Sequence, residues 1–234
     1  MTLVHYLIYF LIAAGAVISI ITDKLTVPAA LLGFLTGSMV FAGGGYSCLS
    51  MLIFFFFAGT WATGWQAKQK QQMGLAQEAK GRRTAGQVFA NGGMAAILCC
   101  ISFFKPQFAA VLQLMAAGSI AAATADTLSS ELGTVLGKRF YNILSFKRDK
   151  RGLDGVVSLE GSLAGLAGSV IIGLIYITGH HDGVRVLWIA VAGMTGNLAD
   201  SVLGATLERK GVIGNNTVNF LNTAIGAFTC LLLS

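Results

Sequence analysis

The feature that most limits what this chain can fold into is a series of apolar runs at bilayer length. A helix needs about 20 mostly apolar residues to cross the roughly 30 Å hydrocarbon layer. Eight runs approach or reach that length, at 3–21, 28–43, 46–64, 87–104, 108–128, 156–178, 185–206 and 216–233. Only 11% of the residues are charged, against about 25% in soluble domains. The mean hydropathy is +0.72. The reading is an all-α polytopic membrane protein of about eight spans, with residues 1–234 as one domain. The first run lacks a basic leading segment and an A-x-A site, so it reads as a retained span. Pro28 suits the first turn of the second helix.

The loops alternate in charge. Lys24, Lys68, Lys70, Lys80, Arg82, Arg83, Lys138, Arg139, Lys147, Arg148, Lys150, Arg151, Arg209 and Lys210 fall in one set of loops. The other set holds only Lys105 and Arg185. The positive-inside rule makes the rich set cytoplasmic, and eight spans then put both termini outside. Topology and anionic headgroups account for most of the +6 net charge. No nucleic-acid partner is expected. Cys48, Cys99, Cys100 and Cys230 lie in apolar runs without C-x-x-C spacing and read as packing thiols. His5, His180 and His181 form no metal-binding pattern, so neither zinc nor haem is expected.

Polar residues inside the spans are the exception that needs explaining. Asp126, Ser130, Gly133 and Gly137 share one helix face, and so do Gly193, Gly196, Asp200 and Gly204. Ser158, Ser162, Gly165 and Ser169 form a third stripe beside Glu160, and Asn215, Asn219, Asn222 and Gly226 a fourth. Glycine and serine stripes are ordinary helix packing. An unpaired carboxylate at depth costs at least ~2.5 kcal/mol and marks a site. Asp126, Asp200, Glu160, Asn91, Asn219 and Asn222 all fall toward the ends of their helices that meet the basic loops. This predicts an acid- and amide-lined pocket opening among cations. Carboxylates there would hold Mg²⁺ and cations would hold phosphate oxygens.

"AGTWATG" (58–64), "ADTLSSELG" (125–133) and "ADSVLGATLE" (199–208) each end a span running toward the basic loops. Their matched positions are Gly59, Asp126 and Asp200. The expectation is three tandem helical hairpins, 46–104, 108–178 and 185–233, after a two-helix lead, with the acid missing from the first copy. "GTVLGKR" is no P-loop: its glycines are too close, and Arg139 stands where a Ser/Thr would hold the metal. The segment 138–152 mixes aromatic with basic residues and reads as interfacial, with a nucleotide lid as the alternative.

"DTLSSELGTVLGKR" followed by "SLEGSLAG" resembles the signature shared by dolichol kinases, phytol kinases and phosphatidate cytidylyltransferases. The matching positions are Asp126, Ser129, Gly133, Gly137, Lys138, Ser158, Glu160, Gly161 and Ser162. Val157 replaces the lysine that those enzymes carry, and Lys147, Lys150 or Arg151 are the available substitutes. With "GQVFANGG", "GLDGVVSLEGSLAG" and "GNLADSVLGATLERKG", nearly the whole chain resembles the transmembrane protein 19 family, which includes the plant phytyl-phosphate kinases. The resemblance implies phosphoryl transfer from CTP or another NTP, with Mg²⁺, to a prenyl monophosphate in the membrane. Asp126 and Asp200 are the candidate metal ligands, with Glu131 or Glu160 assisting. Lys138, Arg139 and Arg83 are candidates for phosphate binding. Asn91, Asn197 and Asn222 would orient the phosphates or the base, with Ser129, Ser158 and Asn219 also in the site. A prenyl-alcohol kinase, a cytidylyltransferase and a lipid transporter or flippase are the alternatives.

Overall fold

The computed structural model describes residues 3–74 and 82–234. Lys80 lies outside them. The chain is built from α1 (Leu3–Ile21), α2 (Val27–Gly64), the short α3 (Ala67–Gln72), α4 (Ala85–Phe104), α5 (Ala109–Leu136), α6 (Leu159–His180), α7 (Val184–Leu203) and α8 (Asn215–Leu233). Two short strands, β1 (Tyr141–Asn142) and β2 (Val156–Val157), pair antiparallel between α5 and α6. Among the described residues, seven helical segments have the length and hydropathy to cross a membrane.

One of the seven counts twice. A straight α2 of 38 residues would be about 57 Å long. It turns back at Gly45, whose φ of 64° and ψ of −159° are not helical. Glycine has no Cβ to clash in this region. The two halves run antiparallel. A Cβ at Gly92 would lie 3.1 Å from Thr36 and 4.0 Å from Leu52, one residue from each half. Phe56 packs on the Leu25, Ala29 and Ala30 cluster near the start of the first half. Eight crossings result, broken where the apolar runs 28–43 and 46–64 predicted.

Loop contacts confirm the charge alternation as a division between two faces. Arg82 pairs with Asp23 at 3.2 Å, Arg151 reaches Met73, and Arg209 pairs with Asp149 at 3.1 Å. These contacts join all four basic loops on one face. On the opposite face the hairpin tips meet. Gln113 and Ser102 donate to the Gly43 carbonyl, His180 Nε2 lies 2.9 Å from Gln113 Oε1, and Ser47 donates to the Tyr176 carbonyl. His180 is thus part of a polar network, and the four cysteines are free thiols, three of them buried.

The helix at the centre is α5. Every residue from 114 to 125 is buried, as expected of a helix that is apolar all round. It touches α2, α4, α6, α7 and α8. Small residues set the crossings. A Cβ at Gly118 would sit 2.5 Å from the Gly226 carbonyl, and one at Gly196 2.5 Å from the Ala122 Cβ. By contrast α1 is peripheral: Ser19 is its one buried residue among those described.

Three boundaries differ from the sequence reading. The fifth span does not stop near 128, because α5 runs to Leu136 with the polar stretch inside it. Its 28 residues reach roughly 42 Å, past the hydrocarbon edge. The sixth begins at Leu159, because Ser158 is its N-cap and accepts from the Gly161 N–H. The seventh leaves α-helical geometry at Gly204 and passes through a π-turn to Glu208.

Candidate active site

Where α5, α7 and α8 converge on the basic face, a cavity of about 440 Å³ opens. Asp126 reaches it from α5 and Asp200 from α7. Their carboxyl groups lie close together. Asn222, fully buried on α8, donates its Nδ2 to Asp200 Oδ2 at 3.5 Å. The same glycines that set the crossings make this possible. Gly196 leaves room for the Asn222 side chain, since a Cβ there would lie 2.7 Å from Oδ1.

The α5–α6 wall is built the same way. A Cβ at Gly133 would approach Gly161 Cα to 2.9 Å and Ser158 Oγ to 3.0 Å. Gly165 on α6 vacates the space taken by Ser129 Oγ, which accepts from Asn197 Nδ2 at 2.8 Å. Gly133 is helical and Gly137 caps α5, so the stretch that resembles a P-loop is helix packing.

Glu131 also lines the cavity, but it is already partnered. Its Oε2 lies 2.6 Å from Lys70 Nζ, and its Oε1 accepts from Thr63. Lys70 donates as well to the Ala62 carbonyl at 2.7 Å, and both members of the pair are buried. The pair pins α3 beneath the end of α2.

Arg83 is the other cation at the cavity. Its backbone is clamped between strands of loop: its N–H donates to the Lys24 carbonyl and its own carbonyl accepts from Thr26. The guanidinium lies over the Phe55 ring, 5.1 Å from the centroid. Burial lowers the Arg83 pKa to about 10, partly offset by the charge of Glu131. It is still a cation at neutral pH. Among the described residues no carboxylate forms an ion pair with it.

The remaining candidates divide. Asn91, Ser158, Asn197 and Asn219 line the cavity together with Asp126, Asp200, Ser129 and Arg83. Asn222 stands behind Asp200. Lys138 and Arg139 do not join them: both are exposed, past the end of α5. Glu160 is not among the residues that line the cavity, and it accepts from the Lys138 N–H at 3.4 Å. The structure places Lys138 and Arg139 away from the cavity because α5 continues for ten residues after Asp126 as helix.

Several lining residues were not singled out in the sequence. Lys70, Gln87, Asp154, Ser201 and Glu208 all border the cavity. Asp154 and Glu208 sit within the recognised stretches "GLDGVVSLEGSLAG" and "ADSVLGATLE", and that was the available signal. The segment read as interfacial reaches the cavity at its two ends, at Phe140 and Gly152, and leaves Leu144 and Phe146 exposed. Phe140 and residues 152–157 form part of the cavity wall, and Gly155, at φ 71°, packs against Ala205 on the π-turn. Arg151 stacks on Phe140 and donates to the Gly137 carbonyl, so it supports that wall.

The donor chemistry suits a hard divalent cation. Asp126 and Asp200 lie close together without a protein cation between them. Asn91 Oδ1 and Asn222 Oδ1 are buried oxygens with no hydrogen-bond partner among the described residues. Mg²⁺ is typically held by one or two carboxylates, with substrate phosphates and water completing its shell. No group of three or more His, Cys, Asp or Glu side chains forms a ready-made metal site among the described residues. A two-carboxylate Mg²⁺ site completed by substrate is compatible with that.

The model of the family described as integral membrane protein DUF92 matches residues 10–227. An uncharacterized membrane protein of Methanocaldococcus jannaschii is 33% identical over 81% of this chain and 77% of its own length. Protein VTE6, chloroplastic, of Arabidopsis thaliana is 31% identical over 86% of this chain, which spans 62% of that protein. Protein PGR of Arabidopsis thaliana is 26% identical over 88% of this chain and 87% of its own length. No solved structure matches.

Proposed function

We propose that this chain, which belongs to the DUF92 family of integral membrane proteins, is an isoprenyl-phosphate kinase. It transfers a phosphoryl group from CTP or another NTP to a prenyl monophosphate, giving the diphosphate. The observation that carries the reading is the close pair Asp126 and Asp200 in the wall of a membrane-edge cavity that also contains Arg83. The resemblance of the surrounding motifs to phytyl-phosphate kinases points the same way.

A phosphate acceptor needs little activation. Its second pKa is near ~6, so it is largely dianionic at neutral pH. The difficulty is bringing two polyanions together, which positioning and charge neutralisation solve. Asp126 and Asp200 would hold Mg²⁺, which when bound neutralises phosphate charge and orients the phosphates. Arg83, whose guanidinium lies near Thr127, would neutralise a phosphate oxygen in the same cavity. The Ser129–Asn197 hydrogen bond holds α5 and α7 at the spacing that keeps the two acids together. Asn222 fixes the Asp200 carboxylate, as a ligating carboxylate needs. The prenyl tail would stay among apolar helices in the bilayer, and the basic face would be cytoplasmic. A transporter would need a path to the other face. There the space is filled by the His180–Gln113–Gly43 network and by core residues such as Met51, Leu114 and Tyr176.

The test is phosphoryl transfer by purified protein in detergent. Geranylgeranyl monophosphate, Mg²⁺ and each γ-labelled NTP are supplied in turn. Label is expected in the prenyl diphosphate, and is lost in Asp126→Asn and Asp200→Asn. Folded wild-type protein that labels no prenyl monophosphate would refute the kinase reading.

A further inference from the structure

Gly59 is the position that the sequence aligns with Asp126 and Asp200, and it lies on the second half of α2 at the same face. It is buried. A Cβ built at Gly59 would overlap the Arg83 Nη2, lie 3.5 Å from the Arg83 Cζ and 3.2 Å from the Thr127 Cγ2. The guanidinium thus fills the space a side chain at 59 would claim, immediately beside the residue that follows Asp126. Nearby glycines on the same helix show that this is local. Gly64 has nothing within 4 Å of its Cβ position.

We propose that Gly59 is a positioning residue: by having no side chain it admits the Arg83 guanidinium to the cavity, giving a phosphate-binding cation where the two related helix ends carry acids. Two acids and one cation form a mixed site, suited to a phosphate group bound between a metal and an arginine. Three acids in its place would repel that ligand. The Phe55 ring supports the guanidinium from one side, and the Lys24 and Thr26 backbone contacts fix where the side chain starts. Gly59 supplies the remaining requirement, which is room. The proposal deepens the phosphate-handling reading of the cavity, but it concerns anion binding and not transfer.

The experiment measures binding of inorganic pyrophosphate, with Mg²⁺ present, to full-length protein in detergent. The readouts are titration and the rise in thermal midpoint that a bound ligand produces. Wild type is expected to bind, and Gly59→Ala and Arg83→Ala to lose about tenfold to a hundredfold in affinity, as expected for a charge-assisted hydrogen bond. The double variant should bind no worse than Arg83→Ala, because both changes remove one interaction. Gly64→Ala should behave as wild type. Should Gly59→Ala fail to fold, the double variant decides. Recovery of folding on removal of the guanidinium supports the proposal, and failure of both assigns Gly59 to packing on Thr127 and overturns it. Wild-type affinity in Gly59→Ala, losses that multiply in the double variant, or no pyrophosphate binding by wild type would also overturn it. Phosphoryl transfer is scored separately. Binding without transfer keeps this inference and removes the kinase; transfer unaffected by Gly59→Ala does the reverse.

Discussion

Replacing Lys70 by Met gives the sharpest test of how the site is held together. Lys70 Nζ sits 2.6 Å from Glu131 Oε2, with the two side chains 4% and 8% exposed. Removing the lysine takes the cation from a carboxylate held away from water and also deprives the Ala62 carbonyl of its donor. Breaking a buried pair from one side costs about 3–5 kcal/mol. Replacing both partners by apolar groups of similar volume is often near neutral. Lys70→Met should therefore lower stability by about 3–5 kcal/mol, and Lys70→Met with Glu131→Leu should recover most of it. The assay is denaturant or thermal unfolding in one detergent for wild type, both single variants and the double variant, read as a cycle. Equal stability of the Lys70→Met variant and wild type would refute the claim that the pair anchors α3. Transfer activity adds a second arm. If Glu131→Gln folds as wild type and yet loses all transfer, the acid takes part in chemistry and its pairing with Lys70 is secondary.

Gly133→Ala places a methyl within 2.9 Å of the Gly161 backbone and should cost about 1–3 kcal/mol by overpacking, seen as a lowered thermal midpoint. Ser158→Ala removes the N-cap of α6 and should cost about 1 kcal/mol in the same measurement. On the proposed reading the cationic form of Arg83 is the one that binds anions, and it is lost as pH rises through about 10. Pyrophosphate binding by wild type should fall across that range, and the step should be missing from Arg83→Ala, as followed by titration at fixed ionic strength.

The structure bears out some sequence inferences and redirects others, and the difference is physical. Span count and the division into two faces are properties of local hydropathy and loop charge, so they could be read directly. The hairpin turn at Gly45 lies in the gap between two apolar runs, and there the chain has the one residue type that tolerates its dihedrals. Asp126 and Asp200 stood out because carboxylates are costly in hydrocarbon wherever they occur. Glu131 carried the same signal for a different reason, because its cost is met by Lys70 from a helix sixty residues earlier. No local pattern distinguishes a neutralised acid from one left for a ligand. Lys138 and Arg139 are close to Asp126 in sequence, but the continuation of α5 carries them out of the cavity.

What the amino-acid sequence by itself determined is the all-helical membrane architecture, the face on which the basic loops gather, and the two acids that need an explanation. These follow from transfer free energies that each segment carries alone. Only the tertiary structure decided which polar groups meet. Glycines at 133, 161, 165 and 196 let helices approach until Asp126 lies close to Asp200 and Asn197 reaches Ser129. Another glycine, at 59, leaves the opening that Arg83 fills. A missing side chain has its effect through whatever occupies the space, and that neighbour is set by packing between segments far apart in the chain.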